Sequence, residues 1–371
     1  SLIGALECIA ISVGPLLGGT LARYVGWRWC FWICLPIVGV TFIITTFFFH
    51  VDDAAEAKGL SLKQKLAQLD YTGAIFFLPG VVCLILALQW GGSVYAWKNW
   101  RIILLLVLFV VLLAIFAVTQ WRQGDKATVP PSILGSRTVL FGSWYSFNTA
   151  GALYVASYYL PIWFQTSKHA SPFESGVDGL PLMVSLIISI ILSGSITSVI
   201  GYYNPTMCLG TVLMAIGGGL LTTLEINTSV PKWVIYQIVF ALGCGFGFQQ
   251  PIIATQAAFT KEQLPSALVI VTFMQTLGGI VAVSVAQNIF SNQLVTNLRK
   301  VAPNVDPSII QNTGILDIKS QFTPEELKRV LPAYNTSITQ VLTLSVAMGS
   351  ATVIGALFIP WRSLKSGKKD K

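Results

Sequence analysis

Ten runs of apolar residues, each long enough to cross a lipid bilayer as a helix, follow one another along this chain of 371 residues. Of all residues, 54% are hydrophobic and 10% are charged, which leaves too few charged residues to cover a water-facing surface. The sequence therefore predicts an all-α polytopic membrane protein with about ten transmembrane helices. The runs cover residues 2–22, 28–49, 70–89, 101–121, 139–164, 174–200, 205–224, 233–256, 266–290 and 337–360.

The first run contains the string GPLLGG at residues 14–19. Pro15 has no N–H to donate to the carbonyl of Ile11, so we expect the helix to bend at this point. Gly14 and Gly18 lie one turn apart, and their lack of side chains lets a neighbouring helix approach closely. The string therefore predicts a bent membrane helix with a smooth face for helix packing.

This string resembles the antiporter motif in the fifth helix of exporters of the major facilitator superfamily. In that family two further glycines precede the motif, at positions that small residues occupy here. The segments at 27–31 and 35–36 resemble the next helix of the same family. By this resemblance the motif comprises Ser1, Ala10, Gly14, Pro15, Gly18 and Gly19.

The strings LDYTG at 69–73, LQWGG at 88–92 and WRII at 100–103 resemble the fungal drug:proton antiporters with fourteen helices, in the mycotoxin and multidrug efflux branch. In that branch an extra helix pair separates two halves of six helices. The resemblance implies that four upstream helices of the same protein are missing here. It divides the chain into the last two helices of the N-terminal half (1–50), an inserted helix pair with cytoplasmic loops (51–138), a C-terminal half of six helices with an outer loop at 291–336 (139–361), and a basic cytoplasmic tail (362–371).

The distribution of basic residues predicts that the first helix begins on the cytoplasmic side. Twelve Lys and Arg residues then fall in cytoplasmic segments, against six on the other side when the long outer loop is left out. Asn227 and Asn335 begin N-x-Ser sequons on the predicted outer side and are candidates for glycosylation. We expect an integral multi-pass protein of the plasma membrane, with a vacuolar or vesicle membrane as the alternative.

Polar side chains at membrane depth are candidates for a transport pathway. Glu7 is the one carboxylate within the first run, and the alternative is that it reaches water at the cytoplasmic end. Asn148 and Gln275 are neutral amides inside apolar runs, for which hydrogen bonding between helices is the alternative.

Gln249 and Gln250 form a second candidate, because they follow glycines at 243, 245 and 247 and precede Pro251. We expect a flexible break in the helix here, at which the two amides line a cavity.

Helix starts are marked at two places by Ser or Thr followed three residues later by Glu, with Pro at the first helical position. The first, at residues 171–174, precedes the sixth apolar run. The second, at 323–326, lies in the segment 291–336, where we expect two short surface helices. Six cysteines fall in apolar runs without paired spacing, and we expect them to be buried as small apolar side chains.

The resemblance implies a secondary transporter that works by alternating access and exports amphipathic organic molecules, driven by proton entry. Its partners would be the lipid bilayer, a small amphipathic substrate and protons. Import of a siderophore-like or other small ligand, or a non-transporting membrane scaffold, stays open as an alternative.

Enzymatic, metal and nucleic-acid functions find little support in the sequence. Only two histidines are present, His50 and His169, without Ser, Asp or Glu at motif spacing around them. We therefore expect no catalytic site, metal site or cofactor. The net charge of +8 comes in large part from the basic tail, which is typical of a segment beside a membrane helix and not of a nucleic-acid surface.

Overall fold

The computed structural model describes residues 14, 17–21, 24–48, 70–92, 94–124, 130–301 and 324–364, with side chains from residue 330 onward in the last range. Within these ranges the regular structure is α-helical and contains no β-strand. The helices are α1 (Trp29–Trp32), α2 (Cys34–Phe48), α3 (Tyr71–Trp90), α4 (Trp100–Gln123), α5 (Pro131–Leu134), α6 (Arg137–Ser167), α7 (Pro172–Asp178), α8 (Leu180–Ile200), α9 (Asn204–Thr222), α10 (Val230–Phe248), α11 (Gln250–Ala258), α12 (Leu264–Val301) and α13 (Pro324–Phe358).

Eight helical segments of the described chain are long and apolar enough to cross a membrane. They correspond to eight of the ten predicted runs, and the first run lies mostly outside the described residues. The remaining run, 139–164, lies within α6. This helix has 31 residues and is long enough to span a membrane, but its many Ser, Thr and Tyr residues lower its hydropathy, so it is not among the eight segments. These findings confirm the predicted all-α membrane fold.

The helices from α6 to α13 form one packed bundle. α6 packs against α10, α11, α12 and α13, while α9 packs against α10 and α13, and α8 against α10. Large side chains from these helices meet in one apolar core, among them the fully buried Tyr159, Trp163, Phe164 and Phe240. Aromatic rings buried together in this way contribute large contact areas to a core.

Helices α3 and α4 form a hairpin that packs on the outside of this bundle. They contact each other along their length, and α3 also contacts α12. Phe77 of α3 connects the two interfaces, because its ring lies 4.8 Å from that of Phe116 in α4 and 5.1 Å from that of Phe273 in α12. The hairpin is therefore anchored to the bundle through α12.

Within the described residues, helix α2 makes its main helix contact outside the bundle. It packs against α1, and none of its residues is buried. Apolar side chains project on every side of it, and Phe42, Phe47 and Phe48 each expose at least 70% of their surface. An apolar helix with no polar face is expected to meet lipid or other helices on all sides.

The last two long helices extend well beyond their apolar runs. α12 continues to Val301 and α13 begins at Pro324, so the expected outer loop at 291–336 is wrong in its bounds. Pro324 starts α13 itself and not a separate surface helix. The helices continue because polar side chains join them, with Asn297 Nδ2 donating to Ser337 Oγ at 3.0 Å and to Gln340 Oε1 at 3.1 Å.

The capping box before the sixth run is confirmed. Ser171 Oγ accepts from the Glu174 backbone N–H at 3.3 Å, and Glu174 Oε2 accepts from the Ser171 backbone N–H at 2.7 Å. These two bonds satisfy N–H groups at the start of α7 that no helical carbonyl reaches.

The cysteines differ from the expectation. Cys244 is buried, but Cys34 is exposed on α2 and the other described cysteines are half-buried. The expectation was wrong for Cys34 because an apolar run can face lipid as well as protein.

Candidate functional site

The centre of the bundle is α6, of whose 31 residues 20 are buried. Glycines on its neighbours allow this close packing. A side chain at Gly278 in α12 would collide with the backbone of Phe147, and a Cβ at Gly355 in α13 would lie 2.8 Å from the carbonyl oxygen of Phe141. α6 therefore lies in backbone contact with both helices, as small residues permit in membrane proteins.

A cavity of about 500 Å³ opens beside the first half of α6. Its walls come from α5, α6, α12 and α13 and are almost wholly apolar, a composition and size typical of small-molecule sites. Residues that shape it include Phe141, Ser143, Trp144 and Phe147 of α6 with Ile270 and Met274 of α12.

Two side chains give this apolar cavity its polar features. The indole N–H of Trp144 donates to the carbonyl of Ala351 at 2.8 Å, which holds the ring against α13 while 43% of its surface stays exposed. The Ser143 hydroxyl is buried and forms no hydrogen bond to any described atom. The cavity therefore offers a broad aromatic surface, with a buried serine hydroxyl behind it, which suits an apolar molecule with few polar groups.

Asn148, predicted as a cavity residue, is buried one turn along α6 from Trp144. Its Nδ2 donates to the carbonyl of Trp144 at 2.8 Å, so the amide satisfies its own helix. It is not among the residues that line the cavity.

Gln250 is fully buried and joins α11 to α8. Its Nε2 donates to Ser193 Oγ at 2.6 Å, and its Oε1 accepts from Thr197 Oγ1 at 3.1 Å. The expectation that Gln250 lines a cavity is not met, because both polar atoms of its amide are used between helices. Gln250 thus hydrogen-bonds between helices, which is the alternative to a cavity role for a neutral amide in a membrane protein.

Gln249 and Gln275 lie at the break between α10 and α11. Gln249 is half-buried and separates the two helices, as the sequence predicted for this position. Gln275 of α12 is 6% exposed, and its Nε2 donates to the carbonyl of Phe248 at 3.1 Å. Phe248 is the last residue of α10, where carbonyl groups lose their partners within the helix. Gln275 thus stabilises the break from a neighbouring helix.

The glycines before this break pack tightly and do not form a flexible segment. Each faces a different neighbour within the continuous helix α10. Gly243 lies against the backbone of Met214 in α9, Gly245 against Ser189 in α8, and Gly247 against the ring of Tyr145 in α6. The expectation of flexibility was wrong, because residues two apart on a helix point to different sides and here each side meets another helix.

The GPLLGG string is only partly described. Ser1, Glu7, Ala10 and Pro15 lie outside the described residues. A Cβ at Gly14 or Gly18 would meet no described atom within 4 Å, whereas one at Gly19 would lie 2.8 Å from the carbonyl oxygen of Pro172 in α7. Within the described structure it is Gly19, and not Gly14 or Gly18, that packs against another helix.

A polar network closes the end of the bundle that the sequence predicts to be outside. Asn335 of α13 accepts from the indole N–H of Trp163 at 2.7 Å and donates to the carbonyl of Leu224 at 3.1 Å. Lys168 donates to the carbonyl of Ile226 at 2.6 Å, and partial burial lowers the pKa of its ammonium group. Asn335 is thus engaged within the fold, while Asn227 is exposed in the loop between α9 and α10.

A second polar cluster joins α3 to α4 at their other end, and sequence reasoning did not find it. Asp70 caps α3 by accepting from the Gly73 backbone N–H at 2.7 Å, and its carboxylate also accepts from Gln120 and Gln123 of α4. Burial alone would raise the pKa of Asp70, but these hydrogen bonds outweigh it and hold the pKa well below its usual range. The signal was Asp before a helix start, which is typical of an N-cap.

No group of three or more His, Cys, Asp or Glu side chains that could hold a metal ion occurs in the described part of the chain. The chemistry of the described site is therefore that of apolar contact and neutral hydrogen bonding.

The family model and the curated relatives indicate one family. Residues 1–283 match the Major Facilitator Superfamily. The efflux pump roqT of Penicillium rubens is 42% identical over 365 residues, which cover 98% of this chain and 68% of that protein. The MFS-type efflux pump MFS1 of Trichophyton rubrum is 43% identical over 367 residues, which cover 99% and 68%. A solved structure of a bacterial homolog of the human lysosomal transporter Spinster, inward-facing and unoccupied, matches with a TM-score of 0.49 and 14% identity, covering 96% of this chain and 82% of that one.

The matched family and the similar efflux pumps identify the chain as an integral multi-pass membrane transport protein and not an enzyme, in agreement with its apolar helices. The chain belongs to the Major Facilitator Superfamily and is similar to fungal efflux pumps over nearly its whole length. It spans about two thirds of the length of these relatives.

Proposed function

We propose that the protein exports amphipathic organic molecules, such as a toxin or a drug, across the plasma membrane by proton-coupled alternating access. The observation that carries this proposal is the identity of 42% to an efflux pump over 98% of the chain. The class of molecule that is exported and the coupling of export to protons go beyond this similarity and are part of our proposal.

The cavity beside α6 supports the substrate class. Its walls of Phe141, Trp144 and Phe147 would take up an apolar ring system, while the Ser143 hydroxyl would bind one polar group of the substrate. None of the described residues that line it is charged, so a strongly charged molecule would lose its hydration without compensation from them. The cavity thus favours neutral or weakly charged amphiphiles.

Proton coupling requires a group that binds and releases a proton. Helices α3, α4, α6 and α8 to α12 contain no Asp or Glu in their described ranges. Glu7, outside the described residues, therefore remains our candidate, together with a carboxylate of the upstream helices that the resemblance implies. In this proposal α6 and its cavity bind substrate, and the N-terminal half carries the proton.

The test uses the chain itself and a fusion in which the N-terminal part of roqT that this chain does not match precedes it. Both are expressed in cells whose own pumps are deleted and are loaded with a fluorescent amphipathic dye. We expect the fusion to export dye, and a protonophore to abolish export while cellular ATP is held constant. We expect the chain alone to export less than the fusion, because it spans about two thirds of the length of the efflux pumps that it matches.

Ser143→Ala and Trp144→Ala in the fusion test the cavity at matched surface expression. We expect Trp144→Ala to lower the rate of efflux about tenfold through lost aromatic contact, and Ser143→Ala to change the order of preference among dyes with and without a hydrogen-bonding group. Val184→Ala, on the exposed side of α8, is the matched control. Export that persists with protonophore present would contradict proton coupling, and normal efflux by Trp144→Ala would contradict the cavity assignment.

A further inference from the structure

A second cavity, of about 340 Å³, lies where the end of the α3–α4 hairpin meets α12. It is separate from the cavity beside α6 and lies at the end of the molecule that the charge distribution predicts to be outside. Its walls include the apolar side chains of Leu88, Val285 and Ile289, the ring of Trp97, and the amides of Asn288 and Asn292.

Asn288 holds a buried acceptor that has no partner. The residue is 7% exposed, and its Nδ2 donates to the carbonyl of Ser284 at 3.2 Å and to that of Leu88 across the interface. These two carbonyls fix the orientation of the amide, because an oxygen in the place of the nitrogen would face them without a proton. Asn288 Oδ1 is left buried without a hydrogen bond to any described atom, a condition that folded proteins largely avoid.

Further polar atoms converge with this oxygen above Gly92. A Cβ at Gly92 would lie 2.6 Å from Asn288 Oδ1, 2.7 Å from the indole nitrogen of Trp97 and 3.4 Å from Asn292 Nδ2. The position has φ +77, which glycine adopts readily. One acceptor and two N–H donors thus converge at Gly92, where any side chain would collide with them.

A hydroxyl group complements this arrangement, since it donates one hydrogen bond and accepts two. A phosphate or carboxylate does not, because it would face Asn288 Oδ1 without a proton. No charged side chain is among the residues that line the cavity. Arg101, on the neighbouring turn, is engaged with Tyr95, to whose hydroxyl its Nη1 donates at 2.6 Å.

The surroundings favour a molecule of the membrane itself. Trp90 and Trp100 flank the site with exposed rings, as aromatic side chains do at the level of lipid headgroups. Below them, Val82 of α3 and Val107 of α4 expose more than half of their surface on faces that meet lipid. An apolar body that extends from the hydroxyl group along Leu88 and Val285 would therefore enter the hydrocarbon region.

We propose that this cavity binds the hydroxyl end of a sterol, a rigid neutral lipid alcohol, between the α3–α4 hairpin and α12. The hydroxyl donates to Asn288 Oδ1 and accepts from the indole N–H of Trp97, and the ring system packs on Leu88 and Ile289. The bound sterol holds the hairpin against the bundle at the end opposite to the Asp70 cluster.

The test measures binding of tritiated ergosterol to the purified full chain in detergent. We expect saturable binding, with competition by unlabelled ergosterol and none by its methyl ether or by phosphatidylserine. Gly92→Ala places a methyl group among the three polar atoms and should weaken binding at least tenfold, the effect of losing one ordinary hydrogen bond. Gly124→Ala is the matched control, because Gly124 also has positive φ and lies on the same hairpin, but a Cβ there would meet nothing within 4 Å.

Trp97→Phe gives an independent result should Gly92→Ala fail to fold. It keeps a smaller aromatic ring at this 45% exposed position and removes the N–H donor, so we expect binding about fivefold to tenfold weaker with unchanged folding. Unchanged binding by Trp97→Phe, or equal competition by the methyl ether, would overturn the proposal. Competition by phosphatidylserine would overturn it too, since that result points to a phospholipid site.

Discussion

Helices α6 and α2 are both rich in aromatic and aliphatic residues, yet they hold opposite places in the molecule. α6 buries 20 of its 31 residues and contains many hydroxyl groups, whereas α2 buries none and belongs to a segment apolar enough to cross a membrane. A helix that faces lipid must be apolar on every side, while a helix surrounded by other helices can carry hydroxyl and amide groups that bond within the protein. Hydropathy therefore finds the outside of such a bundle more readily than its centre.

The largest effect that this comparison predicts is at a glycine against α6. Gly278→Val would place a side chain in the backbone of Phe147, and we expect a loss of stability of about 3 kcal/mol or more from overpacking. Gly39→Val in α2 is the matched control, because a Cβ at Gly39 meets nothing within 4 Å. Thermal stability in detergent, measured by fluorescence size-exclusion chromatography, should fall for the first variant alone. Equal losses would break the contrast between the two helices.

The polar interior of the bundle should give the next largest effect. Gln250→Leu leaves the hydroxyls of Ser193 and Thr197 without their amide partner, which should cost about 1–3 kcal/mol in the free energy of unfolding. Gln249→Leu, at a half-buried position, should cost less than about 1 kcal/mol. The measurement compares the melting temperatures of the two variants, and we expect the lower one for Gln250→Leu. A greater loss of stability with Gln249→Leu would show that the half-buried amide, and not the fully buried one, carries the structural role.

The contact between the GPLLGG string and the bundle provides a third test. Gly19→Leu would press a side chain on the backbone of Pro172, and we expect a cost of about 1–2 kcal/mol with slower efflux in the fusion protein. Gly18→Leu should have the smaller effect, because no described atom lies within 4 Å of its Cβ position. Dye efflux at matched surface expression compares them. A larger defect in Gly18→Leu would indicate that this glycine packs against a helix outside the described residues.

The α3–α4 hairpin is attached more loosely, and its polar cluster should contribute less. Asp70→Asn should cost below about 1 kcal/mol at neutral pH, since the carboxylate is close to solvent and is screened. Because the pKa of Asp70 is lowered in the folded protein, its contribution to stability is complete at a pH above its pKa in the unfolded chain, about 3.9. This contribution is lost as the pH falls toward the pKa of Asp70 in the folded protein. The difference in melting temperature between native protein and Asp70→Asn should therefore be constant from pH 5 to pH 8 and shrink only in acid. A difference in melting temperature that grows in acid would contradict the lowered pKa of Asp70.

The smallest effect concerns the loops. We expect Asn227 to be glycosylated in a eukaryotic host and Asn335 not, because the Asn335 amide is engaged with Trp163 and Leu224. Asn227→Gln should abolish the mass shift that a glycosidase removes, without changing stability. Asn335→Gln should leave the shift intact. A mass shift that survives Asn227→Gln would place the modification elsewhere or the loop on the other side of the membrane.

The sequence predicted what depends on local pattern. Apolar runs predicted the helices, Ser171 and Glu174 predicted the start of α7, and Gln249 marked the break after α10. Features that depend on contacts between residues distant in sequence could not be predicted from local pattern. Whether Gln250 faces a cavity or Ser193, and whether Gly245 gives flexibility or packs on Ser189, is decided by which helix lies beside it. The ends of α12 and α13 were likewise missed, because polar contacts between the two helices extend them beyond the lipid-facing length.

The composition of α6 also has a consequence for how the chain enters the membrane. Segments partition from the insertion machinery into lipid according to their own apolarity, and a helix with many hydroxyl groups does so poorly by itself. Of the described helices that pack along α6, α10 to α13 are all synthesised after it, with α12 and α13 the last to appear. Its stable insertion must therefore wait for the C-terminal helices, so that biogenesis of the bundle is completed from its end and not from its beginning.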